Sequence, residues 1–292
     1  MNTMKVIAPI FIIGTGRSGS SIFHRMFSSH PNAAWLSQLH ARYPTRLEFI
    51  KHIMHAINYP LIGRRLRSIL DPGECYELWE YICPGFSAPC RDLRADDVTK
   101  KSKNRIQDTF SQIVTKKKNR LLIKLTGWSR VGFIREIYPD AKFIHILRDG
   151  RAVTNSTLQV DFWWGWRGPQ NWRWGELTSH DKDLWVKHNQ SFVVLAGIQW
   201  KILMDAIEHA KQLINGRNFM EVKYEDICKD PVGVFKKTLI FCELDWSNKF
   251  ESGLDKFKLE STDFKWKENL TGNQQIALEE VIGDHLKRYG YI

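Results

Sequence analysis

FIIGTGRSGSS, residues 11–21, is an apolar run that breaks into three glycines, one arginine and four hydroxyl residues. Gly14, Gly16 and Gly19 satisfy G-x-G-x-x-G, the dinucleotide-binding spacing. Gly14 and Gly19 also satisfy the outer spacing of G-x-x-x-x-G-K-[ST], but Ser20 stands where the lysine belongs. Residues 6–13 read as a buried strand and 18–28 as a helix stopped by His30-Pro31. A strand, a glycine turn and a helix N-terminus together make an anion nest of backbone N–H groups.

The kind of anion follows from what the rest of the chain offers. A dinucleotide site needs an acidic residue about 20 positions on, at the end of the second strand. Here the first acid after Gly19 is Glu48, beyond the short strand read at 33–36. A nucleoside triphosphatase needs the missing lysine and a strand-end aspartate for Mg²⁺, but Asp149 follows Arg148 rather than an apolar strand. The cation, Arg17, lies inside the loop, and one cation with several hydroxyls suits a terminal 5′-phosphate. A second anchor is FIHILRDGRAVTNS, 143–156, where Arg148 ends a strand and Ser156 follows two helical turns on. Two separated anion sites beside one sheet fit a nucleotide carrying 5′- and 3′-phosphates.

Strands at 6–13, 33–36, 121–125, 142–147 and 218–224 alternate with helices at 18–28, 129–138, 150–159, 189–214, 231–242 and 273–288. Ser129 is the expected cap of the third strand's helix. This alternation predicts an α/β fold, a single domain with a central parallel sheet flanked by helices. Residues 45–115 read as a mostly helical elaboration, interrupted at Tyr59-Pro60, Asp71-Pro72-Gly73 and Pro84-Gly85, with 160–190 a second elaboration. The 43 basic and 32 acidic residues leave a net charge of +11, which favours an anionic partner without naming it. The basic run at 116–120 reads as a solvated turn, so no nucleic-acid partner is expected. The five cysteines form no C-x-x-C pair or metal spacing, and Cys75, Cys83 and Cys90 read as reduced thiols. The apolar run at 6–13 is too short for a membrane span and leads into the glycine loop. A soluble cytoplasmic protein without a metal is the expectation.

Four segments in order resemble the sulfotransferases that use 3′-phosphoadenosine 5′-phosphosulfate (PAPS). GTGRSGSS with its helix and SSHP is similar to their 5′-phosphosulfate loop, and IHILRDGRAVTNS to their 3′-phosphate element. VKYEDICKDP (222–231) and WKENLT (266–271) resemble the segment near the adenine and the late loop over the nucleotide. The resemblance implies a P-loop-like sulfotransferase domain spanning 1–292, with PAPS as co-substrate. It assigns cofactor binding to Gly16, Arg17, Ser18, Gly19, Ser20, Ser21, Arg148, Ser156, Tyr224, Lys265, Trp266 and Lys267. Arg17 and Lys124, at the end of strand 121–125, are the candidates for stabilising charge on the departing 5′-phosphate.

Relatives with an arginine in the loop place a glutamate base just after the second strand, and here that position holds Gln38. An amide cannot accept the acceptor's proton, so His40, two residues on in a segment read as extended, is the candidate base. The stretch 161–175, DFWWGWRGPQNWRWG, holds five of the chain's twelve tryptophans without helix or strand periodicity. It reads as a loop, with Trp163, Trp164, Trp166 and Trp172 as candidate walls for an acceptor: a small molecule, glycan or glycolipid. Two other readings stay open: a P-loop kinase-like phosphotransferase, and a non-catalytic nucleotide- or nucleic-acid-binding protein.

Overall fold

In the computed structural model, which describes residues 4–56 and 70–292, the five apolar runs become the strands of one sheet. They are β1 (Ile10–Gly14), β2 (Ala33–Trp35), β3 (Arg120–Thr126), β4 (Lys142–Leu147) and β5 (Phe219–Lys223). Every pairing is parallel, in the order β2-β3-β1-β4-β5. A strand covered on both faces needs apolar side chains at successive positions, and β1 and β4 are buried from end to end. Alternation splits those side chains between two cores. Phe11 and Ile13 join Trp79, Phe86 and Phe133 on one face; Ile10 and Ile12 join Phe23, Phe235 and Phe250 on the other. A third cluster lies between helices Phe192–Gln212 and Gly272–Arg288 and takes in Trp163 and Trp172.

Local chemistry sets the helix starts. Asp149 accepts a hydrogen bond from the Arg151 N–H at the head of Gly150–Thr157, and Ser191 accepts one from the Val193 N–H at the head of Phe192–Gln212. Pro231 opens Pro231–Phe241 at a position where its missing N–H costs nothing. One cap differs from expectation. The helix after β3 is Val131–Ile137, and Ser129 instead donates from Oγ to Asp92 Oδ2 at 2.8 Å. Asp92 Oδ1 accepts the Arg130 N–H at 2.6 Å, so one carboxylate from a distant loop captures both residues.

The elaboration read at 45–115 contains helices Leu47–Ala56, Tyr76–Ile82 and Lys100–Ser111. The interruption at Tyr59-Pro60 lies outside the described residues. All five cysteines are free. Among the described residues no helix is long and apolar enough to cross a membrane.

Parallel strands send all their carboxyl ends to one edge. Gly14 with the loop that follows it, Thr126 and Leu147 therefore meet there. Beneath that edge, burial and the nearby Lys124 ammonium push the His24 imidazole down to about 3. An unfolded imidazole protonates near 6.5, so between about pH 6.5 and 3 the unfolded state holds the extra proton and stability falls as pH drops. At pH 5 this difference amounts to about 2 kcal/mol. His24→Leu should accordingly flatten the acid limb, with urea midpoints at pH 7.5 and 5.0 closer together than in the unaltered protein. An unchanged gap would mean that His24 does not hold its neutral form by burial.

Candidate functional site

The loop between β1 and helix Ser20–Ser28 is built on left-handed backbone: Gly16 has φ 79°, Arg17 55° and Gly19 86°. For Arg17 that conformation costs about 1 kcal/mol and turns successive amides toward one side. Gly14 cannot carry a side chain, because a Cβ there would lie 2.7 Å from Ser18 Oγ and 3.0 Å from the Ile146 carbonyl. Ser18 and Ser20 are buried within the turn, whereas Arg17 and Ser21 face solvent. Arg17 Nε donates to Ser156 Oγ at 3.0 Å, tying the loop to helix Gly150–Thr157.

Arg148, just past β4, is 8% exposed and fully engaged. Its Nε donates to Asp263 Oδ1 at 2.7 Å, Nη1 to the Arg17 carbonyl at 3.0 Å and Nη2 to Thr262 Oγ1 at 3.2 Å. The guanidinium lies 4.5 Å from the centre of the Tyr224 ring. That same ring covers Gly19, where a Cβ would approach Tyr224 Cδ2 to 2.1 Å. Loop, Tyr224 and Arg148 thus form one packed unit, with the Asp263 carboxylate as the counter-ion of Arg148. The late segment departs from a loop: Lys265–Asn269 is helical, with Trp266 buried under Arg151 at 4.4 Å and Lys265 and Lys267 exposed. Its contacts to Arg148 come from Thr262 and Asp263, which carry no family-like spacing in the sequence.

Lys124 lies within β3, 7% exposed, so its stem is core rather than surface. Its Nζ donates to Ser21 Oγ at 2.7 Å and pairs with Glu74 Oε1 at 2.9 Å. Thr126 Oγ1 donates to the same Oε1 at 2.8 Å, which leaves Glu74 Oε2 without a partner among the described residues. Glu74 lines a cavity of about 420 Å³ that begins at Thr15, Gly16 and Arg17. Among the sequence candidates Trp163 and Trp164 line that cavity; Trp128 and Trp174 join them. Trp166 and Trp172 do not. Trp166 is 42% exposed and stacks edge-on against Trp163 and Phe192, while Trp172 is buried in the third core cluster.

His40 needs a correction. Residues Gln38–Arg42 are a helix, not an extended segment, so Gln38 and His40 point to different sides. The His40 ring is buried, its Nδ1 accepts the Ser37 N–H at 3.0 Å, and it does not line the cavity beside Arg17. Burial holds its pKa down to about 4. The ring caps its helix, and a base role finds no support in this geometry. Gln38 packs its amide on Gly73, 2.8 Å from where a Cβ would stand. The neighbouring Glu74 thereby brings a carboxylate to the region where Gln38 lacks one. No spacing in the sequence announces this, because it depends on residues 71–73 folding back on 36–38 through Gln38 N–Asp71 O and Gly73 N–Leu36 O hydrogen bonds of 3.2 and 2.9 Å.

A family model described as the sulfotransferase family matches residues 9–248. Omega-hydroxy-beta-dihydromenaquinone-9 sulfotransferase Stf3 of Mycobacterium bovis is 24% identical over 188 residues, 62% of this chain and 43% of that protein. The same enzyme of Mycobacterium tuberculosis matches to the same degree. The match therefore spans less than half the length of these curated relatives. The crystal structure of sulfotransferase STF9 from Mycobacterium avium superposes with a TM-score of 0.60 at 15% identity, covering 98% of this chain and 77% of that one. Sulfotransferase STF1 from Mycobacterium tuberculosis gives 0.56 at 17% identity, over 95% of this chain and 77% of that one. These likenesses show the fold.

The ring of Tyr224 against Gly19 makes a separable test of the site's packing. Gly19→Ala should destabilise the protein by about 2–4 kcal/mol, about 1 from left-handed backbone and the rest from the displaced ring. In a Tyr224→Ala background only the backbone part should remain, as read from denaturant midpoints. Equal losses in both backgrounds would remove the ring from the account.

Proposed function

The chain belongs to the sulfotransferase family, and we propose that it transfers a sulfuryl group from PAPS to a hydroxyl or amine of a small molecule, glycan or glycolipid. The observation that carries this reading is the position of Lys124. One buried ammonium touches Ser21 of the phosphate loop and, on its other side, a glutamate facing a cavity that starts at that loop. A donor phosphate and an acceptor hydroxyl held in those two places would share the same cation between them.

The residues present fit a bis-phosphorylated nucleotide. The amides of Gly16, Ser18, Gly19, Ser20 and Ser21, with Arg17, would hold the 5′ end, and Arg148 with Ser156 the 3′-phosphate. The Asp263 carboxylate on Arg148 supports this, since an anion already satisfies that guanidinium. Tyr224 lies between the two sites and would face the base. Trp266 supports the wall from within, and Lys265 and Lys267 add positive charge at its rim. PAPS supplies the activated sulfuryl group. Lys124 and Arg17 are the residues that would stabilise negative charge on the phosphate side, the larger part of such catalysis. Glu74, through its unpartnered Oε2, accepts the acceptor's proton.

The aromatic wall of Trp128, Trp163, Trp164 and Trp174 supports an acceptor with a flat or ring-bearing body. The mycobacterial relatives are named for a hydroxylated dihydromenaquinone, which adds lipid-like hydroxyls to the classes worth screening. Five free cysteines are consistent with a reducing, cytoplasmic setting.

Two measurements check this. Adenosine 3′,5′-bisphosphate, without added metal, should raise thermal stability far more than AMP, by roughly 2.7 kcal/mol at about 100 times its dissociation constant. Equal stabilisation by AMP would sink the two-anion reading. Glu74→Gln should lower turnover of sulfate from PAPS to an active acceptor by about 10²- to 10⁴-fold, with bisphosphate affinity retained. Full activity in Glu74→Gln together with loss in His40→Ala would return the base to His40.

A further inference from the structure

The acceptor cavity carries charge that the transfer reaction itself does not use. Four charged side chains line it: Arg17, Glu74, Arg130 and Arg173. Arg17 bonds Ser156, and Glu74 is neutralised by Lys124. That leaves two guanidinium groups. Arg130 is 5% exposed, yet no carboxylate pairs with its guanidinium among the described residues. Its Nη1 donates to the Trp128 carbonyl at 2.7 Å and reaches the Tyr76 hydroxyl at 3.4 Å, while Nε is buried without a partner among the described residues. Nη2 makes no hydrogen bond among the described residues either. Asp92 attracts this charge from a distance but spends both oxygens on the Ser129 hydroxyl and the Arg130 backbone N–H.

Those same bonds hold Arg130 at φ 53°, a conformation a long side chain adopts only when its surroundings impose it. The consequence is a side chain aimed over Tyr76 and Phe86, 5.3 and 4.5 Å from their ring centres, toward the cavity instead of solvent. Arg173 approaches from the tryptophan-rich loop, its guanidinium 4.1 Å from the Trp164 ring centre and without an ion pair among the described residues. A buried cation with no direct ion pair and with unmet N–H donors is costly. A ligand carrying the missing anion removes that cost.

We infer that the acceptor bears an oxyanionic group, a carboxylate, sulfate or phosphate ester, that docks on Arg130 and Arg173 while its ring rests on the tryptophan wall. The inference rests on the transferase reading of this cavity and adds the acceptor's charge class to it. Arg130 then acts as a specificity residue, remote from the bond that breaks. Cationic acceptors are excluded by the same two arginines.

The test is a binding titration, so it does not wait for turnover. Three matched probes share one phenol-bearing ring: 7-hydroxycoumarin-3-carboxylate, its 3-carboxamide and its ethyl ester. Each is titrated by fluorescence anisotropy with and without saturating adenosine 3′,5′-bisphosphate, and bisphosphate affinity is measured separately. The carboxylate should bind at least about tenfold more tightly than either neutral probe, as one charge-assisted hydrogen-bond pair implies. Arg130→Gln should abolish that preference and leave both bisphosphate affinity and binding of the ester in place. Arg173→Gln, on an exposed residue that folding does not need, should reduce the preference by about threefold even if the Arg130 variant does not fold. Equal binding of all three probes, no binding of the carboxylate, or a preference that survives the substitutions would overturn the inference. Failure to bind the bisphosphate would count against the PAPS reading instead, and the probe series without nucleotide would still decide the charge of the pocket.

Discussion

The hydrogen-bonded position of β1, paired on both sides at the centre of a parallel sheet, is the constraint from which the site follows. In register, Ile12 stands beside Lys124 of β3 and Ile13 beside His145 of β4. Gly14 therefore ends its strand level with Thr126, and Arg148 emerges one step past the neighbouring β4. No side-chain interaction is needed to gather these groups. A one-residue slip of β3 would turn Lys124 to the opposite face and separate Ser21 from Glu74. Burial of both sheet faces forbids that slip, because it would expose Leu121, Ile123 and Leu125 to the wrong core.

With the edge fixed, electrostatics is settled by pairs that span elements. Lys124 balances Glu74, Asp263 balances Arg148 and Asp149 balances Arg151 at 2.8 Å. The Arg148–Asp263 pair has a special place among them. A buried guanidinium is costly to leave without an anion beside it, and Asp263 meets that cost here. The pair ties the segment that leads into helix Lys265–Asn269 to the end of β4, since Thr262 and Asp263 both bond the same guanidinium.

The strands and the phosphate loop were legible because their signals are local. A short apolar run bounded by a glycine turn reads as a strand buried on both faces, and glycines at 14, 16 and 19 are needed where the backbone turns left-handed or the chain comes close. The positions of Arg148 and Ser156, one strand end and two turns of helix apart, were legible for the same reason. Glu74 had no such signal. It reaches the site because residues 71–73 return beside 36–38, a contact of long sequence separation. The reading of His40 failed on a boundary: an extended segment and a helix place residues 38 and 40 on different relative faces, and composition does not separate the two over five residues.

The tryptophan-rich loop shows why composition located a wall but not its members. Trp163 donates from Nε1 to buried Gln199 Oε1 at 2.5 Å, fastening the loop to helix Phe192–Gln212. Trp172 donates to the Gly175 carbonyl at 2.5 Å within the loop itself and packs into the same cluster. These two anchors present the others. Trp164 lies under the guanidiniums of Arg167 and Arg173, at 4.2 and 4.1 Å, and Trp174 lies against Gly127, where a Cβ would approach its ring to 3.0 Å. Gly127 and Trp128 follow directly on β3, so the wall is referenced to the strand that also carries Lys124. The shape of the cavity beside Glu74 is thus set by the sheet on one side and by two buried indoles on the other. On the proposed reading, a flat acceptor held between them would meet Glu74 in a geometry that the loop alone could not maintain.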